Sequence, residues 1–245
     1  MNDIKKFKTR NKNMIKKMAQ DIPLQNLSKK WIFNSINHEY SYHFNWLGVP
    51  VIQYPQDLMA MQEIIWQTKP DIIIETGVAR GGSLIFYASI LNMIQKSGLV
   101  IGIDIDIRNH NKIIIKTHHL SKKIKLIEGS STDMNTIDKV KKIIKQKKKI
   151  LVILDSNHTH DHVLQELLLY SPFVKKNGYM VVFDSIIEDM PSKLVKNRPW
   201  KKGNNPKTAV HEFLKKNSRF QIDKEIENKL LITVAPDGYL KCIKD

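Results

Sequence analysis

The sequence predicts an α/β protein, a mostly parallel sheet with helices on both faces. Three observations carry this. From about residue 57 onward, β-like runs alternate with segments at helical spacing. One run, Ile150–Leu154, is apolar throughout, as a strand covered on both faces must be. Five successive runs end on glycine or polar residues, Gly77, Asp104, Ser130, Asp155 and Asp184, which a parallel sheet gathers on one rim.

In chain order, residues 1–20 are polar and lysine-rich, with Ile4, Phe7, Met14, Ile15 and Met18 among them. They read as a weak amphipathic helix or a frayed end. Residues 22–55 carry Trp31, Phe33, Tyr40, Tyr42, Phe44, Trp46 and Tyr54. They are expected as an irregular aromatic cover over the domain or a contact within a homo-oligomer. Residues 1–55 thus form an N-terminal extension, and residues 56–245 the domain that holds the site.

Asp57 reads as the N-cap of a helix with Leu58, Met61, Ile64 and Ile65 on one face and Pro70 beyond its end. Strands are expected at 71–75, 99–103, 123–127, 150–154 and 179–183, with helices at 84–94 and 109–120 between them. Thr132 or Asp133 caps a lysine-rich helix whose Val140, Ile143 and Ile144 face inward. A further helix carries Val163, Leu164, Leu167, Leu168 and Tyr170, and the last spans 206–216. Residues 220–226 and 230–235 read as a closing antiparallel hairpin, which completes seven strands. Pro236-Asp237-Gly238 reads as a turn after it.

Net charge is +16, from 40 Lys+Arg against 24 Asp+Glu. Two lysine clusters, at 5–17 and 139–149, hold many of the cations, and the second is the solvated face of a surface helix. No nucleic-acid-binding motif accompanies the charge, so specific nucleic-acid recognition is not expected. Peripheral attraction to anionic lipid or polysaccharide stays open. No apolar run approaches the ~20 residues of a membrane span. The basic N-terminus lacks the apolar core of a signal peptide. Cys242 is the single cysteine, which excludes an internal disulfide framework and a cysteine metal cluster. The expected location is cytoplasmic.

Residues 70–106 run strand, glycine turn, helix, strand, acid. Glycines let the backbone turn sharply and let a ligand approach where no Cβ intervenes. Backbone N–H groups at the helix start, from Ser83, can face a polar group. An acid at the end of the next strand can accept two hydrogen bonds from ribose hydroxyls. The turn, Glu75-x-Gly77-x-Ala79-x-Gly81, is not the G-x-G-x-x-G of dinucleotide sites. It points away from NAD, and from a nicotinamide oxidoreductase, toward S-adenosylmethionine.

Four stretches carry a resemblance: PDIIIETGVARGGSLIFYASIL, GIDIDIR, LDSNHTHDHVLQELLLYSPFV and WLGVPVIQYPQDLMAMQEIIW. Over residues 40–191 the chain resembles the cephalosporin hydroxylase family, which includes the rhamnosyl O-methyltransferases. The resemblance implies a Rossmann-like class I methyltransferase fold, S-adenosylmethionine as cofactor, and Mg²⁺ held by acids at the ends of the fourth and fifth strands. Carried over, Glu75, Gly77, Ala79 and Gly81 match the first methyltransferase motif. Asp104, with Asp106 as alternative, matches the ribose-binding acid. Ser130 and Ser131 fall at the adenine edge, and Asp155 and Asp184 match the metal acids. One position departs: Phe183-Asp184 stands where similar proteins carry Glu-Asp. Asn157 is a candidate replacement oxygen.

The implied activity is O-methylation of a hydroxyl on a sugar, in a polysaccharide or glycolipid, or on a similar small polyol. Asp155 would act in catalysis as a ligand to metal or substrate oxygen. His158 is the leading candidate base and His160 the second, because imidazole titrates near neutral pH. His160 and His162 otherwise read as residues that cap or solvate a helix start. The alternative, favoured by Phe183, is a catalytically weakened cofactor-binding partner protein of the same fold.

Overall fold

The computed structural model describes residues 2–94, 97–145 and 149–245. Residues 146–148 of the second lysine cluster lie outside the described residues. The chain opens with helices α1 (Asn2–Gln20) and α2 (Ile22–Ile36), followed by a small antiparallel hairpin of β1 (Phe44–Trp46) and β2 (Val49–Val51). Then come α3 (Pro55–Thr68), β3 (Ile72–Thr76), α4 (Gly82–Ile94), β4 (Leu99–Asp104), α5 (Asn109–Thr117) and β5 (Ile124–Glu128). The second half holds α6 (Met134–Ile144), β6 (Ile150–Leu154), α7 (His160–Tyr170), β7 (Tyr179–Val182), α8 (Pro206–Lys216), β8 (Phe220–Ile222), α9 (Lys224–Leu230) and β9 (Tyr239–Cys242).

The seven-stranded sheet has the order β5-β4-β3-β6-β7-β9-β8. Its first five strands are parallel, and β9 runs antiparallel to both β7 and β8. Strand side chains alternate between two cores, as period 2 requires. Ile73, Val100, Leu151, Ile153, Val181 and Phe183 pack on one face with α3 and α4. Ile72, Ile74, Ile101, Val152, Leu154 and Val182 pack on the other with α6, α7 and α8. The central strands are therefore apolar on both sides, and the order in which strands are added to the sheet reverses between β3 and β6. Such a switch point opens a crevice at the strands' carboxyl ends.

Several elements differ from the sequence reading, each for a local reason. Residues 22–36 are helical: Asp21 accepts from Leu24 N at 3.0 Å and Pro23 lies in the first turn. The aromatic segment after it is a hairpin turned by Leu47 (φ 47°) and Gly48 (φ 83°). Gly82 lies under this hairpin: a Cβ there would sit 2.2 Å from Pro50 O. Asp57 is not an N-cap. Pro55 begins α3 after Tyr54, and Asp57 turns into the core, fully buried. It accepts from Thr233 Oγ, from Val234 N at 3.0 Å and from Tyr239 OH at 2.7 Å. Burial pushes its carboxyl up to about 6 against those bonds. Asp133, by contrast, caps α6 as one of the two residues expected there, accepting from Asn135 N at 2.9 Å.

The closing hairpin pairs β8 with β9, not with 230–235. Asp223 caps α9 and interrupts the expected strand, and Ile226 and Leu230 then meet the core one helical turn apart. Among the described residues, no helix is long and apolar enough to cross a membrane.

Candidate functional site

The site lies where the strand order reverses, between β3 and β6. Backbone bonds between strands hold its rim together: Gly77 N donates to Ile103 O at 2.7 Å, Asp155 N to Thr76 O at 2.9 Å, and Phe183 N to Leu154 O at 3.0 Å. A cavity of about 550 Å³ opens above these strand ends. It is lined by Gly77, Ala79, Gly81, Ser83, Asp104, Ser130, Ser131, Asp155, His158 and Asp184, among others. Of the expected site residues, Glu75, the alternative ribose acid Asp106 and the second candidate base His160 are absent from its wall.

Glu75 acts from beneath. It is 1% exposed and faces α4, where Ser83 Oγ donates to it at 2.6 Å. Burial pushes its carboxyl up to about 8, opposed by hydrogen bonds with Ser83 and Tyr87. It thereby fixes the first turn of α4 beneath the glycine turn.

The turn itself needs left-handed backbone at Gly77 (φ 90°), Ala79 (φ 46°) and Gly81 (φ 86°). A Cβ at Gly77 would fall 2.1 Å from Asp155 O, so this glycine serves the contact between β3 and the end of β6 as well as the cavity. Asp104 clamps the turn: its Oδ2 accepts from Val78 N at 2.8 Å and Ala79 N at 3.4 Å. Its Oδ1 accepts from Asp106 N at 3.3 Å. Asp106 is exposed and does not line the cavity.

Across the cavity, Asp155, His158 and Asp184 each offer an atom, all within 4.8 Å of one another. His158 Nε2 lies 3.1 Å from Asp184 Oδ2. Its ring meets Trp200 edge to face, with centroids 4.8 Å apart. Burial, then the charges of Asp184 and Glu75, push the Asp155 carboxyl well up. Asp184 has left-handed backbone (φ 54°), which turns its carboxylate to the cavity while Phe183 points into the core, 1% exposed. The departure at Phe183 thus removes a carboxylate and adds packing. Asn157 does not replace it: its Oδ1 accepts from Thr159 N at 2.9 Å and Thr159 Oγ at 2.8 Å.

The other histidines divide. His160, the second candidate base, is outside the cavity wall. It ties α7 to α8, its Nδ1 at 2.8 Å from Thr208 Oγ and its Nε2 at 3.2 Å from Glu212. His162 lines the cavity instead of solvating a helix start. Its Nε2 lies 3.0 Å from Ser131 Oγ and 3.2 Å from Ser156 Oγ. Behind it the fully buried Glu166 accepts from Ser156 Oγ at 2.7 Å. One turn separates His162 from Glu166, and that i, i+4 pair was the signal available in the sequence. Ser130 Oγ is paired to Thr132 Oγ at 3.1 Å.

Tyr42, of the expected aromatic cover, reaches the cavity from the hairpin region, and with it Ser41 and Gln53, which no sequence signal marks, and Val234, which Asp57 holds by its backbone.

Comparison with known proteins gives a consistent picture. Residues 38–243 match the family described as Rhamnosyl O-methyltransferase/CmcI. The rhamnosyl O-methyltransferase of Mycobacterium tuberculosis is 29% identical over 197 residues, 80% of this chain and 76% of that protein. That of Mycobacterium leprae is 27% identical over 197 residues, 80% of this chain and 81% of that protein. Among solved structures, CmcI with Mg and SAM superposes with a TM-score of 0.57 at 18% identity, covering 82% of this chain and 77% of that one. That likeness is one of fold.

Proposed function

This chain belongs to the Rhamnosyl O-methyltransferase/CmcI family, and from that premise we propose that it transfers a methyl group from S-adenosylmethionine to a hydroxyl of a rhamnosyl or similar sugar. One observation carries the reading. A single cavity joins the 77–81 turn and Asp104 to the cluster of Asp155, His158 and Asp184.

The residues present fit both groups that the reading requires. The cavity is within the 300–1,000 Å³ usual for ligand sites. A carboxylate has about four acceptor positions. Three backbone N–H groups approach Asp104, which leaves about one position for a ribose hydroxyl. Ser130 and Ser131 offer hydroxyls on the adenine side. Asp155 and Asp184 suit Mg²⁺, a hard cation that binds through one or two carboxylates and keeps several waters. A cation there would offset the burial, and then the repulsion from Asp184, that raise Asp155. When bound, S-adenosylmethionine supplies an electrophilic sulfonium methyl, and Mg²⁺ a Lewis acid that lowers the pKa of an acceptor hydroxyl.

The chain's own residues do the rest. With Nε2–H donated to Asp184, His158 keeps its Nδ1 lone pair as the base for the acceptor hydroxyl proton. Asp184 holds the ring and stabilises the imidazolium that forms, the role of the carboxylate in a His–Asp pair. Trp200 covers His158 and limits water.

Calorimetry with S-adenosylmethionine or NAD, with and without Mg²⁺, tests the cofactor. Turnover of methyl-labelled S-adenosylmethionine on a panel of rhamnosides tests the reaction. The expected result is binding of S-adenosylmethionine and not NAD, and label on the sugar at a rate raised by Mg²⁺. Tight NAD binding would overturn the cofactor assignment. Tight S-adenosylmethionine binding with no transfer to any hydroxyl would favour the non-catalytic partner protein, the reading that Phe183 supports.

A further inference from the structure

We propose that α1 is a membrane-surface anchor for anionic phospholipid, an inference independent of the reading of the site. The helix has 19 residues, none of them buried. At 1.5 Å per residue it is about 28 Å long. Ile4, Phe7, Met14, Ile15 and Met18 recur at helical spacing and form one stripe along it. Ile4 and Phe7 are each 62% exposed and Met14 49%. Ile15 and Met18, half-buried, lie where the helix meets α2 and α9, but Ile4, Phe7 and Met14 continue the stripe into water, and such an exposed apolar run marks an interaction surface.

The charges say which surface. Lys5, Lys6, Lys8, Arg10, Lys12, Lys16 and Lys17 surround the stripe, against one acid, Asp3. This is the composition of a helix that lies in the plane of an interface, apolar side down and cations among the headgroups. The helix is tied to the body through its C-terminal half, where Lys12 pairs with Glu225 of α9 at 2.9 Å. Ile4 and Phe7 stand beyond that tie. Nucleic acid would use the cations but leaves the apolar stripe unexplained. A second copy of the chain would bring the same cations to the same stripe, at a net charge of +16 per chain. An anionic bilayer matches both features.

The test uses the full chain, sedimented with vesicles of phosphatidylcholine alone or with about 30% phosphatidylglycerol. Wild type should favour the anionic vesicles by about tenfold or more at low salt and be released at about 0.5 M salt. The Ile4→Ser/Phe7→Ser double variant keeps every charge and should bind them about tenfold more weakly. Neither side chain is buried, so the variant should unfold at the same temperature and bind S-adenosylmethionine as wild type does. Three results would overturn the proposal. Wild type could show no preference for anionic vesicles. The double variant could bind the anionic vesicles as wild type does, which would make α1 a generic polycation. Sedimentation velocity could show a wild-type dimer that the variant loses, which would assign the stripe to a second copy.

Discussion

His158 Nε2 and Asp184 Oδ2 lie 3.1 Å apart and join the ends of β6 and β7 across the mouth of the cavity. If His158 is the base, His158→Gln should lower kcat about 10²–10⁴-fold, the usual contribution of a positioned base. Its affinity for S-adenosylmethionine and its activation by Mg²⁺ should stay within about twofold of wild type. Asp184→Asn should lose rate and Mg²⁺ activation together, as the proposed double role of Asp184 toward the ring and the cation requires. Steady-state kinetics over a Mg²⁺ titration separate these. Equal loss of Mg²⁺ activation in both variants would make His158 a metal ligand instead.

Gly77 and Gly203 both have left-handed backbone, at φ 90° and 81°. Only Gly77 is crowded: its added Cβ would meet Asp155 O at 2.1 Å, whereas Gly203 has nothing within 4 Å. Gly203→Ala should therefore lose about 1 kcal/mol from backbone strain alone. Gly77→Ala should lose about 2–4 kcal/mol, because two strand ends must part. Urea unfolding of the two variants measures the difference, and equal losses would mean that the β3–β6 rim is pliable.

The same crowding shows why the sheet was legible and its cover was not. Ile150–Leu154 has five buried residues in a row, and burial on both faces writes itself into sequence as an unbroken apolar run. The rim residues follow from that, since Gly77, Asp104, Ser130, Asp155 and Asp184 each lie within two residues of the end of a strand. The extension obeys other rules. Helix α2 starts with Asp21-Ile22-Pro23, a capping signal that the aromatic content obscured. The Leu47-Gly48 turn places a leucine at positive φ, which propensity alone disfavours. Asp57 has the composition of a cap but answers to Thr233, Val234 and Tyr239, far along the chain. No local pattern encodes such a partner. His162 is half legible: the i, i+4 spacing to Glu166 is local, but its hydroxyl partner Ser131 lies past a different strand.

Trp200 is half-buried and lines the cavity beside His158, with Arg198 over its ring at 5.4 Å. An aromatic ring next to His158, the proposed base, is placed to bear on the apolar face of a sugar ring. Trp200→Ala should raise KM for the acceptor about tenfold, with a smaller fall in kcat. Binding of S-adenosylmethionine should be unchanged by calorimetry. Weakened cofactor binding with an unchanged acceptor KM would put Trp200 on the cofactor side.

Glu75 gives a stability prediction with a definite sign. Its carboxyl is raised from 4.5 to about 8 by burial. Between those values the folded chain holds a proton that the unfolded chain has released. Stability from this group is therefore complete below about pH 4.5 and declines as pH rises toward 8. The loss is on the order of a few kcal/mol, since each pKa unit corresponds to about 1.4 kcal/mol. Glutamine mimics the neutral acid in size and still accepts from Ser83. Glu75→Gln should thus remove this decline, and its stability relative to wild type should improve steadily from pH 5 to pH 8 in urea melts. A constant difference across that range would mean that Glu75 stays ionised when buried, held by its bonds to Ser83 and Tyr87.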